Sequence, residues 1–294
     1  MSAALTNAIV NASITYLAEK YPHQRDSRIS FEEEGHKYTI DGVDAKKCSN
    51  PFTSVTTLVH QQFEPFDADK IITKMMASPK WNKNKYYGKT ADEIKKGWKQ
   101  SGNEAASAGT NLHNDIERFY NNVGVNNTST EYGYFQNFYN DMDKQRETGQ
   151  TKTDWPGEPY RTEWTVFDED LRLAGSIDMC FRKSDGTIAI YDWKRCKEIK
   201  KTSWFIKFST NPILSHIPDL NYWHYSLQLN IYKMILERKY GEKVSEMYLV
   251  CLHPNHANYQ RVEVTNMSVE VDGLIKQIEA ASGAASGAAS GDNK

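Results

Sequence analysis

Ile188-Ala189-Ile190-Tyr191 is apolar at every position and runs straight into Asp192-Trp193-Lys194. A short run apolar on both faces reads as a strand covered on both sides, central in its sheet. A carboxylate and an amine at the end of such a strand are costly to bury without a partner or a task. Upstream, residues 171–182 are rich in apolar and β-favouring side chains. Ser184-Asp185-Gly186 lies between the two runs, and that is a hairpin signal.

Parity then decides which side chains meet. A three-residue loop pairs Lys183 with Thr187 and sets Asp178 opposite Asp192. A two-residue loop would set Asp178 opposite Trp193 and turn Asp192 to the other face. We expect the three-residue loop, with Gly186 left-handed in a bulge. Asp178, Asp192 and Lys194 then converge, and two acids with a lysine can hold a divalent metal and activate a water against a phosphodiester. Leu171, Leu173, Ile177, Met179 and Phe181 share the core side with Tyr191 and Trp193. Arg172, Ala174, Ser176, Asp178 and Cys180 make a small, polar face, on which Ile188 and Ile190 need apolar cover. The alternative is a surface hairpin with ordinary charges, since Asp-x-Lys alone is common.

Composition narrows the class. The chain has 294 residues, 39% of them hydrophobic and 12% aromatic, enough for a real core. No apolar run approaches a membrane span, and no basic start leads into an apolar stretch, so we expect an intracellular protein that is not secreted. The formal net charge of -2 does not announce nucleic acid. Cys48, Cys180, Cys196 and Cys251 lack the close spacing of a zinc ribbon or ferredoxin-like run and read as reduced thiols. Ala-Ala-Ser-Gly repeats mark 280–294 as a tail without regular structure.

Along the chain, 29–41 reads as a small hairpin turning near Glu34-Gly35, and 54–76 as helical patterns broken at Glu64-Pro65. Helices follow at 104–121, where Ala105, Ala108, Leu112, Ile116 and Phe119 form a stripe, and at about 131–146. Strands follow at 160–167, 171–182 and 187–194. A helix at 222–239 stops at Gly241, and strands at 246–252 and 259–264 lead to a last helix at 268–280. Strands that lie together with flanking helices make an α/β fold with a central mixed sheet. We divide the chain into a mostly helical N-terminal cap region with a β-hairpin, 1–103, a core, 104–279, and the tail.

Other residues gather around the acids. His113 sits beside the 104–121 stripe, with Glu117 one turn later. If this helix covers the Asp178 face, it shelters Ile188 and Ile190 and brings His113 to the acids as a ligand; taken alone, His113 equally reads as a core histidine. Gln228 and Tyr232 share a face of a mostly buried helix, where the amide either orients the site or is an ordinary core group. Residues 80–99 interleave Lys83, Lys85, Lys89 and other lysines with Trp81, Tyr86, Tyr87 and Trp98. Lysines neutralise phosphates and aromatic faces stack on unpaired bases; a solvated helical hairpin is the alternative. A second basic cluster, with Arg195 and Lys197, begins at Lys194. The long connection 203–221, with Trp204, lies beside the site, where long loops are often functional.

In order and content, these motifs resemble the PD-(D/E)xK nuclease superfamily, in its RecB-type exonuclease branch. Gly109-Thr110-Asn111-Leu112-His113 with Glu117 looks like the family's Gly-x-x-x-His helix. Gly175-Ser176-Ile177-Asp178 looks like its Gly-x-x-Asp strand, Asp192-Trp193-Lys194 its Asp-x-Lys, and Gln228 to Tyr232 its Gln-x-x-x-Tyr helix. The Asp-Trp-Lys form is similar to mitochondrial single-strand exonucleases, and the wider sequence to members encoded by large DNA viruses. The resemblance implies a restriction-endonuclease-like core and a metal-dependent DNA exonuclease acting on single strands or duplex ends in recombination, repair or replication. A recombination or replication protein would be its partner, with no membrane involved. His113, Asp178, Asp192 and the Trp193 carbonyl would bind Mg2+ or Mn2+, Lys194 would orient or activate the attacking water, and Gln228 and Tyr232 would support the site. Arg195 stands where relatives often carry Thr or Ser. The four-cysteine cluster of some relatives is missing, so no iron–sulfur cluster is expected. A structure-specific endonuclease on the same core, and a non-catalytic nucleic-acid-binding protein, remain as alternatives.

Overall fold

Local signals set the elements of the computed structural model, which describes residues 15–32, 35, 37–43, 52–148 and 155–289. In chain order these are α1 (Tyr16–Lys20), β1 (Ile29–Glu32), β2 (Lys37–Ile40), β3 (Thr53–Ser54), α2 (Val55–His60), α3 (Ala68–Met76), α4 (Ala91–Tyr120) and α5 (Thr130–Thr148). They continue with β4 (Glu158–Asp168), β5 (Leu173–Arg182), β6 (Ile188–Lys194), α6 (Asn221–Lys239), β7 (Val244–Cys251), β8 (Gln260–Glu263) and α7 (Ser268–Ala289). Ser54 and Asp67 cap α2 and α3 by accepting from the Thr57 and Lys70 amides. Gly241, with φ of 69°, follows the end of α6. Cys48 and Glu34 lie outside the described residues.

The protein is α/β, with a mixed sheet flanked by helices. Strand order is β3-β5-β6-β7-β8, and β4 pairs with β5 along its other edge. The β5–β6 hairpin takes the expected register. Met179 pairs with Tyr191 and Arg182 with Ile188, the Lys183 amide donates to Thr187 O (2.9 Å), and Gly186 has φ of 82°. β6 runs parallel to β7 and is central, as its apolar run requires.

One edge of β5 is shared. β3 pairs with Leu173 and Ala174, whereas β6 pairs only from Met179 onward. The edge between them, Gly175 to Asp178, is open. Here β5 and β6 fork, and the fork carries Asp178 and Asp192.

Two expectations about this sheet are corrected. The helix bearing His113 does not cover Ile188 and Ile190. Those two pack with Leu227, Leu229, Ile231 and Ile235 of α6. Leu112, Ile116 and Tyr120 of α4, with Tyr132, Phe135 and Phe138 of α5, cover Met179, Phe181, Tyr191 and Trp193 on the opposite face. The flat aromatic faces of Tyr191 and Trp193 fit the aromatic α5, and edge-to-face pairs such as Phe135–Trp193 (5.7 Å between centroids) hold that layer. Nor does β5 keep one core side from end to end. Leu171, Leu173 and Ile177 join the α6 layer, whereas Met179 and Phe181 join the α4–α5 layer. The change falls where the register places Glu163 of β4 across from Asp178, and Glu163 has a left-handed backbone with φ of 42°.

The boundary at 103/104 cuts through α4. This helix starts at Ala91 because Thr90 and Glu93 form a reciprocal capping box, so cap and core share one rod. β3 joins the sheet and α2 supplies Val55, Leu58 and Val59 to the α6 layer, so part of 1–103 belongs to the core. α7 runs past Ala280 into the Ala/Ser/Gly repeat, whose alanines propagate a helix nucleated by buried Val271 and Leu274. Among the described residues, no helix is long and apolar enough to cross a membrane.

Candidate active site

The fork brings together five ionisable groups from four elements. Asp178 comes from β5, Asp192 and Lys194 from β6, His113 from α4, and Glu163 from β4. Asp178 Oδ2 accepts a hydrogen bond from the Trp193 amide (2.8 Å), which replaces the ladder bond lost where the strands part. Asp192 is buried, and its Oδ2 lies 2.7 Å from Lys194 Nζ. That oxygen receives no well-aligned hydrogen bond from any group among the described residues. Lys194 also sits over the Tyr225 ring, with Nζ 4.6 Å from its centroid.

His113 reaches the acids around the edge of the sheet from the other layer. Its Nε2 lies 2.8 Å from Trp193 O, and a carbonyl only accepts, so Nε2 carries the proton. Nδ1 then faces Asp178 Oδ2 and Glu163 Oε1, each at 3.6 Å. The Trp193 carbonyl, expected as a ligand, here orients the imidazole instead. His113, Glu163 and Asp178 offer donor atoms all within 4.8 Å of one another. One imidazole with carboxylate oxygens suits Mg2+ or Mn2+. Asp192, expected as a ligand, is not among these clustered donors, and its Oδ2 is taken up by the Lys194 ammonium.

Glu163 escaped the sequence reading. Its signals were an acid beside the run Trp164-Thr165-Val166-Phe167 and a place across a short turn from Asp178. A left-handed backbone at a non-glycine residue costs of order 1–3 kcal/mol and persists where surroundings enforce it. Ser176 Oγ donates to Glu163 Oε2 (3.0 Å) and helps to hold it.

Proton affinities follow from this crowding. Burial works against a charged His113, yet Asp178 and Glu163 outweigh it and push its pKa up to about 9. Burial raises Asp192 to about 6, with Lys194 opposing and Asp178 reinforcing. Burial and the nearby Glu163 carry Glu117 to about 7. For Lys194, burial is overcome by Asp192 and Asp178, which hold it charged well above the usual lysine range.

The glycine of Gly175-Ser176-Ile177-Asp178 has a spatial reason. A Cβ there would lie 2.7 Å from Tyr232 Oη and 2.8 Å from Tyr232 Cε1. Tyr232 is buried, and Gln228 Nε2 is 3.5 Å from its hydroxyl. The glycine motif and the Gln-x-x-x-Tyr motif are thus two sides of one contact.

The expected nucleic-acid residues are less concentrated. Arg195 is bound to Glu131, with Nη2 to Oε1 at 2.7 Å, so its guanidinium is occupied within the protein. Lys197, Lys83, Lys85 and Lys89 are exposed. Tyr86 and Trp98 are bound to each other, Trp98 Nε1 donating to Tyr86 Oη (2.8 Å). This segment leans on α3 through Lys95–Asp69 (2.6 Å). Trp98 and His113 lie on one helix, about 22 Å apart at 1.5 Å per residue. The basic segment is therefore a distant flank of the fork, not part of it.

No protein-family model matches the chain, and no curated protein matches it.

Proposed function

We propose that this protein is a metal-dependent deoxyribonuclease of the PD-(D/E)xK type, with a restriction-endonuclease-like core. In this reading it works inside the cell as an exonuclease on single strands or duplex ends, in recombination, repair or replication. The observation that carries the reading is the fork. There His113, Glu163 and Asp178 bring donor atoms within 4.8 Å of one another, and the Asp192–Lys194 pair (2.7 Å) is an electrostatic neighbour of Asp178.

Each side chain has a task in this reading. His113 Nδ1, Glu163 and Asp178 hold Mg2+ or Mn2+. The bound ion supplies positive charge to a phosphate oxygen and acidifies a water. Lys194, kept charged by Asp192 and Asp178, acts as a fixed ammonium that orients the attacking water and offsets charge building on the phosphate. A lysine held so firmly protonated is a donor and not a base. Asp192 keeps the ammonium in place. The Trp193 backbone holds Asp178 through its amide and His113 through its carbonyl. Tyr232, seated on Gly175, fixes the strand from which Asp178 projects.

The test is cleavage of end-labelled single-stranded, duplex and closed circular DNA, in EDTA, Mg2+ or Mn2+, with Lys194→Gln alongside. We expect metal-dependent loss of the linear substrates only, slowed at least about 100-fold in the variant. Cutting of closed circles would favour an endonuclease. Tight binding with no cleavage in either metal would leave a binding protein.

A further inference from the structure

The chain leaves β6 at Lys194 and crosses to α6 through a long connection. Residues 201–208 are exposed throughout. At the tip Trp204 is 100% exposed and Phe205 95%, with Ile206 and Phe208 half-exposed beside them. Leaving two large aromatic side chains wholly in water forgoes much of the stabilisation that burial gives them. Contiguous exposed apolar residues of this size mark an interaction site.

The tip is held on a frame. On one side the Lys200 amide donates to Asn221 Oδ1 (2.8 Å), Asn221 Nδ2 donates to Glu198 O (2.7 Å), and Trp223 Nε1 donates to Lys201 O (3.0 Å). On the other the Asp219 amide donates to Lys207 O (2.8 Å), and Phe208 bridges to Pro218. Both anchors lie at the start of α6. One turn further along α6 is Tyr225, whose ring carries Lys194. The element that seats the lysine of the fork thus also carries the aromatic tip.

The charge around the tip points to one kind of occupant. Between 194 and 207, Lys194, Arg195, Lys197, Lys200, Lys201 and Lys207 stand in sequence against Glu198 alone. Lys194, Arg195 and Lys200 are paired with Asp192, Glu131 and Glu198 (3.4 Å for the last), and Lys197 and Lys201 are exposed beside the tip. Glu64 takes Lys207 (2.6 Å), and Lys201 lies over Tyr222 (4.3 Å). Aromatic faces among ammonium groups match an unpaired nucleic-acid strand, with bases stacking and phosphates neutralised. An apolar protein groove has no use for the lysines.

We propose that Trp204 and Phe205 form a stacking finger that grips unpaired bases of the substrate strand beside Lys194. The protein would then favour single-stranded or frayed ends over closed duplex. The proposal rests on the nuclease reading above.

The test compares wild type with the double variant Trp204→Ala/Phe205→Ala, and with Trp204→Phe/Phe205→Tyr as the aromatic control. Anisotropy of a dye-labelled single-stranded oligonucleotide and of its blunt duplex is read in EDTA, and cleavage of both in Mn2+. We expect the alanine variant to bind the single strand about tenfold or more weakly, with duplex binding changed less than about twofold. Its cleavage of single strands should show a raised KM and an unchanged kcat, and the aromatic control should match wild type. If the alanine variant binds and cleaves single strands like wild type, the finger is wrong and the nuclease reading stands. If wild type binds single strands through these residues and cleaves nothing, the nuclease reading fails and the strand-gripping site survives. Loss of sedimentation with phosphatidylserine vesicles, or a change of oligomeric state, with single-strand binding intact, would overturn the proposal in favour of a lipid or protein surface.

Discussion

Glu163 is the residue on which the site turns. Its backbone is left-handed, and its carboxylate faces His113 Nδ1 at 3.6 Å. A strand residue held in that conformation directly across from Asp178 is placed at a cost, and the placement delivers a second carboxylate to the cluster beside Asp178. Glu163→Gln keeps the shape and removes the charge. We expect Mn2+ affinity, measured by calorimetry, to fall by roughly 10–100-fold or more. Unchanged affinity would remove Glu163 from the metal set. Glu163→Gly should relieve the backbone strain and raise stability locally while still losing the metal, which separates strain from ligation. Unchanged or lower stability in Glu163→Gly would show that the left-handed backbone stores no strain there.

At the scale of elements, the contact between β5 and α6 is the tightest constraint. Gly175→Ala would drive a methyl into Tyr232, whose hydroxyl and ring edge both lie under 3 Å from the new Cβ. Either Tyr232 or the strand must shift. We expect a loss of about 1–3 kcal/mol in denaturant unfolding, together with reduced activity, because β5 carries Asp178 three residues later. Tyr232→Phe in the same chain should recover only part of the stability, since the ring edge still clashes. Gly186→Ala differs in kind. Nothing lies within 4 Å of its Cβ position, and only the left-handed backbone (φ 82°) opposes the change, so we expect about 1–2 kcal/mol with activity kept. The motifs of the hairpin were legible because strand periodicity and loop length settle which side chains share a face. The α4 start was missed: the helix was expected from 104, because the glycines at 97 and 102 break the periodic pattern that would have led back to the Thr90–Glu93 capping box.

For the molecule as a whole, the crowded fork ties stability to pH. His113 titrates near 6.5 in the unfolded chain and near 9 in the folded one. Between these values the folded protein holds a proton that the unfolded chain has released. Its contribution is complete below about pH 6.5 and is lost as pH rises through 9. Asp192 and Glu117, raised to about 6 and 7, act with the same sign over lower windows, since burial disfavours their charged forms. We expect the Tm of the metal-free protein to fall between pH 6 and 9, and His113→Gln to flatten the upper part of that fall. Mn2+ should reverse it, because the ion takes the place of the proton among the carboxylates. A Tm that rises over this interval without metal would contradict the arrangement of the fork.

The amino-acid sequence alone determined the hairpin register, the central position of β6 and the convergence of Asp178, Asp192 and Lys194. Each follows from a two-residue period and a loop of known length, which are local quantities. Only the tertiary structure decided which helix covers which face of the sheet. An apolar stripe states that it will be buried and not against what, so α4 and α6 could exchange faces on pattern alone. Glu163 differs. β4 and β5 form a hairpin across the turn of 169–172, so its place opposite Asp178 is also set by a local quantity. It was missed because the strands were expected at 160–167 and 171–182, ends that put the pairing out of register. The fork between β5 and β6 is a tertiary product: β6 leaves β5 beyond the Met179–Tyr191 pair and stays on β7 through Lys194.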